Sequence, residues 1–281
     1  MPDWSIWTFC YAEGRLPLDF VRGTPIASNL GHTAVPMIFS LLQSTDGRRV
    51  LIDTGFSGGR SMTGPGFSNF VRSDQLLECH GIPPAEIETL VLTHLHFDHA
   101  GNIDAFPNAR IYVQRYEYES WKQVIAEFGA EGVTKDKWPF SSLDIENFKS
   151  LDAAIAAGRV TLLDGDVELC DGVTCRLAKD THSFGIQWLE VSTSGGRYAL
   201  AGDVCYTYFN AERMWPPGYM QGNPWHILRE INRIKQVAGD DLARMLPGHD
   251  DEIFTRHRSG APHGSRIAEL HLAPGHASLI G

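Results

Sequence analysis

No stretch of this 281-residue chain approaches the ~18 consecutive apolar residues that a membrane-spanning helix requires. Met1 to Cys10 carries neither a basic start nor a continuous apolar run, so a cytoplasmic protein with no membrane partner is the expectation. Basic charge is also scarce: 24 lysines and arginines against 34 aspartates and glutamates leave a net charge of −10 with histidine neutral. A chain so acidic offers no broad basic face, which argues against nucleic acid as a partner. The five cysteines (Cys10, Cys79, Cys170, Cys175, Cys205) are odd in number and scattered. They form no C-x-x-C pair, so they read neither as a disulfide framework nor as a structural zinc knuckle, and they fit a reducing compartment. Low-complexity linkers and internal repeats are missing as well, and 43% hydrophobic residues are enough to exclude a disordered chain. What the chain does have in quantity is histidine, twelve in all.

Periodicity orders the elements. Ser5 to Tyr11 and Pro36 to Gln43 read as strands, and Asp46-Gly47 before Arg49 to Asp53 marks a hairpin. A Gly/Ser-rich loop from Phe56 to Phe67 precedes a helix near Asn69 to His80, then short buried strands at Thr89 to Thr93 and Ile111 to Gln114. Trp121, Val124, Ile125 and Phe128 make one helical stripe, and Leu143, Phe148, Leu151 and Ile155 a looser second. Strands follow at 160–163, 167–169, 173–178, 186–192 and 198–201, with Gly195-Gly196 as a further turn. A late helix opens with Asn223 as N-cap and Pro224 behind it. This order predicts an α/β chain in which two sheets are enclosed by helices: one domain over 1–256, a helical lid or subunit contact at 129–159, and a Gly/Pro/His-rich tail at 257–281. That tail is either an arm packed on the body or a partner, or mobile.

Between two of the strands stands His94-Leu-His96-Phe-Asp98-His99, four potential metal ligands in six residues. Imidazoles and a carboxylate without a thiolate are a donor set suited to zinc, and one short loop could serve two adjacent cations. Four side chains cannot fill two sites, so further ligands are expected at later strand ends. His182, Asp203 and His249 stand there. Each alone is weak, since a lone histidine after a strand is more often a hydrogen-bonded residue; in this order they form a set.

This set resembles the metallo-β-lactamase superfamily, an αββα sandwich with a dinuclear metal centre at one sheet edge. Thr93 to Gly101, Phe106-Pro-Asn108, Ile111 to Tyr118, Gly165 to Leu169 and Asp203 to Thr207 are similar to the N-acyl homoserine lactonase branch, and the likeness runs from about Pro36 to Asp250. The resemblance implies two Zn²⁺ or other divalent ions. His94, His96 and His182 would hold one, Asp98, His99 and His249 the other, and Asp203 would bridge both. It gives Asp53 the task of orienting the metal loop, an ordinary turn aspartate being the other reading. Two departures stand out: Phe184 and Ile186 replace a rigid and a polar residue after His182, and 129–159 is longer than in compact relatives.

The implied activity is a metal-dependent hydrolase that opens a lactone ring by attack of a hydroxide shared between the metals. Asp98 and Asp203 belong to its catalytic set, and Tyr206 would donate a hydrogen bond to the developing oxyanion, unless it is a packing aromatic. The substrate is expected to be small, neutral, apolar and cyclic. A zinc hydrolase of another cyclic ester, cyclic amide or imide, or xenobiotic is the alternative, and a metal-free scaffold that binds without turnover is the contrasting class. Trp4, Trp7, Phe9, Met214 to Tyr219 and Trp225 supply apolar bulk that could wall such a pocket, although core packing is the commoner fate of these residues. The tail and the longer segment favour a homodimer.

Overall fold

The computed structural model describes residues 2–23, 31–58, 66–129, 131–134 and 136–280. Part of the expected Phe56 to Phe67 loop (59–65) and positions 130 and 135 of the 129–159 segment lie outside the described residues.

In the first half the strands are β1 (Trp4–Pro17), β2 (His32–Ser44), β3 (Arg49–Ile52), β4 (Gly55–Phe56), β5 (Thr89–Val91), β6 (Ala100–Gly101), β7 (Arg110–Gln114) and β8 (Val160–Leu163). In the second half come β9 (Val167–Cys170), β10 (Val173–Lys179), β11 (Gly185–Thr193), β12 (Gly196–Gly202) and β13 (Met245–Pro247), followed by β14 (Arg258–Gly260) and β15 (Ile267–His271). The helices are α1 (Leu18–Arg22), α2 (Ser73–Cys79), α3 (Arg115–Phe128), α4 (Ile145–Ala156), α5 (Tyr208–Arg213), α6 (Pro224–Val237) and α7 (Ile253–Arg256).

Eight strands pair in the order β14-β15-β1-β2-β3-β5-β7-β8, and five in the order β13-β12-β11-β10-β9. Side-chain alternation builds the layers, because successive residues of a strand point to opposite faces. Ile6 and Cys10 of β1 meet Val173 and Cys175 of β10 and Leu189 and Val191 of β11 in the cluster between the sheets. Their neighbours Trp7, Phe9 and Tyr11 face the other way, toward Leu76 and Leu77 of α2 and Phe148 and Leu151 of α4. On β11, Ile186 and Trp188 turn outward and are covered by Ile227, Ile231 and Ile234 of α6. The result is the expected αββα sandwich.

Several local expectations are corrected. The helix near Asn69 starts only at Ser73, because Asn69 takes a left-handed φ of 55° that an α-helix cannot include. On α3 the buried side chains are Glu117 and Trp121, whereas Phe128 ends the predicted stripe half exposed. The 160–163 strand belongs to the larger sheet beside β7 rather than to the strand block that follows it. Beyond residue 257 the chain is an arm packed on the body: β15 pairs antiparallel with β1, and its Ile267 and Ala268 are fully buried.

Ile267→Ala should therefore cost about 2–5 kcal/mol of unfolding free energy, as other large-to-small core changes do. Urea denaturation reads this directly, and a loss below ~0.5 kcal/mol would mean that the arm stands apart from the cooperative body.

Candidate metal centre

Parallel pairing of β3, β5 and β7 brings the ends of β3 and β5 side by side. Asp53 follows β3, and the His94 to His99 loop follows β5. From the other sheet, His182 sits in the β10–β11 connection, Asp203 directly after β12 and His249 two residues after β13. All seven sequence-predicted ligands converge. Ligand atoms of His94, His96, His182 and Asp203 lie within 4.8 Å of one another, and so do those of Asp98, His99 and His249. Asp203 faces both groups: its Oδ2 is 3.3 Å from His182 Nε2 and 3.8 Å from His94 Nε2, while its Oδ1 is 3.5 Å from His99 Nε2 and 3.2 Å from His249 Nε2.

Which nitrogens point inward is set from behind. His94 Nδ1 is 3.0 Å from Thr93 Oγ1, whose own hydrogen goes to Asp53, so the ring donates there. His99 Nδ1 donates to Asp53 Oδ2 at 2.8 Å, His249 Nδ1 to the Pro36 carbonyl at 3.0 Å and His182 Nδ1 to the Tyr219 carbonyl at 3.0 Å. His96 donates through Nε2 to Gln221 Oε1 at 3.2 Å. With those protons placed, the remaining nitrogens of His94, His96 and His182 present lone pairs to one another, while His249 Nε2 lies 3.2 Å from Asp203 Oδ2, close enough to donate to it when protonated. His96 Nδ1 and His182 Nε2 stand 3.0 Å apart with no proton left between them. His94 Nε2, His99 Nε2 and Asp203 Oδ1 are buried without a hydrogen-bond partner among the described residues. Buried polar atoms are almost always satisfied, and inward lone pairs at this spacing are satisfied by cations. The donor set fits two of them.

Electrostatics separates the two groups. Burial, then the neighbouring imidazoles, holds His94 and His96 well below the usual histidine range, and burial lowers His182 too, which keeps these rings neutral as ligands must be. Burial also opposes charge on His99 and His249, but Asp203 outweighs it and pulls both upward. Asp203 is held well below the carboxylate range: burial works against this and His249 and His99 overcome it.

Asp53 does more than close a turn. Its two oxygens accept from Thr93 N at 2.7 Å, Thr93 Oγ1 at 2.8 Å and His99 Nδ1, fixing the first and last members of the loop from a residue at φ 62°. Gly248 leaves room for the bridge, since a Cβ there would stand 2.3 Å from Asp203 Oδ1. Sequence reasoning missed Glu117. This fully buried carboxylate accepts from Leu95 N between two ligands and from Ser183 Oγ and Gly185 N beyond a third, as well as from Trp121 Nε1. The available signal was an acid four residues before Trp121, on the face that α3 buries.

Beside the ligands opens a cavity of about 240 Å³. Leu16, Phe20, Met37, Phe67 and Phe97 supply its apolar side, while Ser141, Ser142, Tyr206 and Tyr219 line it together with His96, Asp98, Asp203 and His249. The Tyr206 ring is 5.2 Å from the rings of both His182 and His249. Burial and then Asp203 push its phenol well above the usual tyrosine range, so it stays protonated and can donate. Most of the other expected wall residues lie elsewhere. Trp4, Trp7 and Phe9 are core, Trp225 is 69% exposed, and only Tyr219 of the 214–219 run lines the cavity. Phe184 packs edge-on against Trp121 and Ile186 lies under α6, so neither departure from the lactonase pattern reaches the mouth. The 129–159 segment does reach it, through Ser141 and Ser142, and behind them α4 buries Phe148, Leu151 and Ala154.

Glu117→Ala would strand the Leu95 and Gly185 N–H groups in the interior, at about 1–3 kcal/mol for each buried donor left unmade. Chemical denaturation of metal-stripped protein should show a loss of several kcal/mol, and an unchanged midpoint would remove the clamp from the account.

Residues 36–249 match the metallo-beta-lactamase superfamily. Among curated proteins the chain is 29% identical over 232 residues to the N-acyl homoserine lactonase AiiA of Bacillus thuringiensis subsp. kurstaki, covering 78% of this chain and 82% of that one. It is 26% identical over 181 residues to the N-acyl homoserine lactonase AttM of Azorhizobium caulinodans, spanning 62% of each length. A crystal structure of a quorum-quenching N-acyl homoserine lactone lactonase superposes with a TM-score of 0.68 at 26% identity, over 92% of this chain and 97% of that one. With its sandwich, its two ligand groups and the carboxylate between them, this chain belongs to the metallo-beta-lactamase superfamily.

Proposed function

We propose that the protein is a dinuclear metal-dependent hydrolase that opens the ring of N-acyl homoserine lactones, with zinc as its metal. The observation that carries the reading is Asp203, set between two complete ligand groups on the floor of a cavity with one apolar side. Similarity to N-acyl homoserine lactonases supports the substrate class.

A bound pair of divalent cations supplies an activated water and polarises the ring carbonyl. The chain does the rest. His94, His96 and His182 would hold one cation and Asp98, His99 and His249 the other, with Asp203 facing both groups. Tyr206 donates its phenol hydrogen toward the oxygen on which charge develops. Asp98, the least buried of these carboxylates, faces the cavity and is placed to carry a proton to the departing ring oxygen. In the balanced reaction water's oxygen bonds to the acyl carbon, the bond from that carbon to the ring oxygen breaks, and a proton ends on the freed alkoxide. Leu16, Phe20, Met37, Phe67 and Phe97 exclude water from one side and take an acyl tail, which suits a neutral, apolar substrate. The five free cysteines support a reducing, cytoplasmic setting.

Tyr206→Phe should lower kcat on acyl homoserine lactones about 10²–10³-fold with metal content unchanged. Loss of metal in that variant would give Tyr206 a structural role instead. A panel of lactones with graded acyl length, aromatic lactones and cyclic imides should show ring opening that favours the acylated homoserine lactones. Cleavage confined to the imides would overturn the substrate assignment.

A further inference from the structure

The segment from Tyr219 to Asn223, between α5 and α6, runs against the His182 loop. Gln221 N donates to the His182 carbonyl, Gly222 N to that of Thr181 and Asn223 N to that of Asp180, each at 2.9 Å. Contact is so close that a Cβ on Gly222 would stand 2.2 Å from the Asp180 carbonyl carbon. The strap holds two ligands, His182 through the Tyr219 carbonyl and His96 through the Gln221 side chain.

The Gln221 amide is itself oriented from its far side, where Nε2 donates to Ser142 Oγ at 3.1 Å and to Tyr219 OH at 2.9 Å. Its oxygen is thereby left for His96 Nε2. The reverse orientation would present N–H to that nitrogen and move the ring's proton to Nδ1, the atom 3.0 Å from His182 Nε2. A proton there would occupy the space where a cation must meet both rings.

We propose that Gln221 is a positioning residue. It fixes His96 as the Nε2–H tautomer, so that the Nδ1 lone pair serves the cation position shared with His94 and His182, and through Ser142 it ties that position to the 129–159 segment. The inference rests on the two-cation reading above. Gln221 makes no hydrogen bond to Asp98, His99 or His249 among the described residues, so its effect is confined to one of the two positions.

Chelator-competition titration of Gln221→Ala should show one zinc bound roughly 10–100-fold more weakly than in the parent protein and the other unchanged. Gln221→Glu, which retains an acceptor at the same reach, should restore the first affinity. Side-chain ¹⁵N spectra of the parent protein should show His96 protonated on Nε2, and this readout stands whether or not lactones are the substrate. Parent-like affinity at both positions in Gln221→Ala, equal weakening of both, failure of Gln221→Glu to restore, or a His96 proton on Nδ1 would each overturn the proposal. If the tautomer is as stated but the parent binds fewer than two metals, the two-cation reading fails and the orientation of His96 stands.

Discussion

Everything at this site follows from lone pairs that have nowhere else to go. Five imidazoles and two carboxylates are pressed together with one nitrogen of each ring held from outside, and among the described residues His94 Nε2, His99 Nε2 and Asp203 Oδ1 face the interior without a hydrogen-bond partner. Such an arrangement is costly for the bare chain and favourable only when positive charge is shared among the ligands, which couples metal affinity to folding. The rest of the structure supplies the restraint. Asp53, the carbonyls of Pro36 and Tyr219, and Gln221 each hold one ring nitrogen, so the imidazoles cannot rotate to relieve the repulsion.

The two sheets divide the work. One contributes the His94 to His99 loop and Asp53 from neighbouring parallel strands; the other contributes His182, Asp203 and His249. Neither sheet carries a complete pair of positions, so the centre exists only once the sandwich has docked. Glu117 spans that junction: from α3 it grips Leu95 on one side and Ser183 and Gly185 on the other. A buried carboxylate with four donors is a rigid spacer, and it holds the two ligand loops at one separation.

The ligands were legible because residue type and strand-end position both marked them, and alternation along β1 and β11 made the layered fold legible too. What escaped was whatever depends on partners distant in sequence. Glu117 and Gln221 are ordinary polar residues until packing puts Leu95 or His96 beside them, 22 and 125 positions away. The aromatic residues stayed ambiguous for the same reason: Trp4 and Phe9 sit on faces that composition cannot assign, and they take the commoner fate of filling the core, while Leu16 and Met37 form the cavity wall. The last arm, poor in periodicity, gains its place by pairing with β1, a non-local contact that no local pattern announces.

The central claim is that ring opening depends on two cations that the residues around Asp203 would hold. Stepwise removal of metal by a chelator, with metal per chain and the rate of acyl homoserine lactone opening measured on the same samples, tests it most directly. The account predicts full activity at two metals per chain, loss in step with metal, and recovery when zinc is returned. Ring opening undiminished in protein stripped of metal would contradict it.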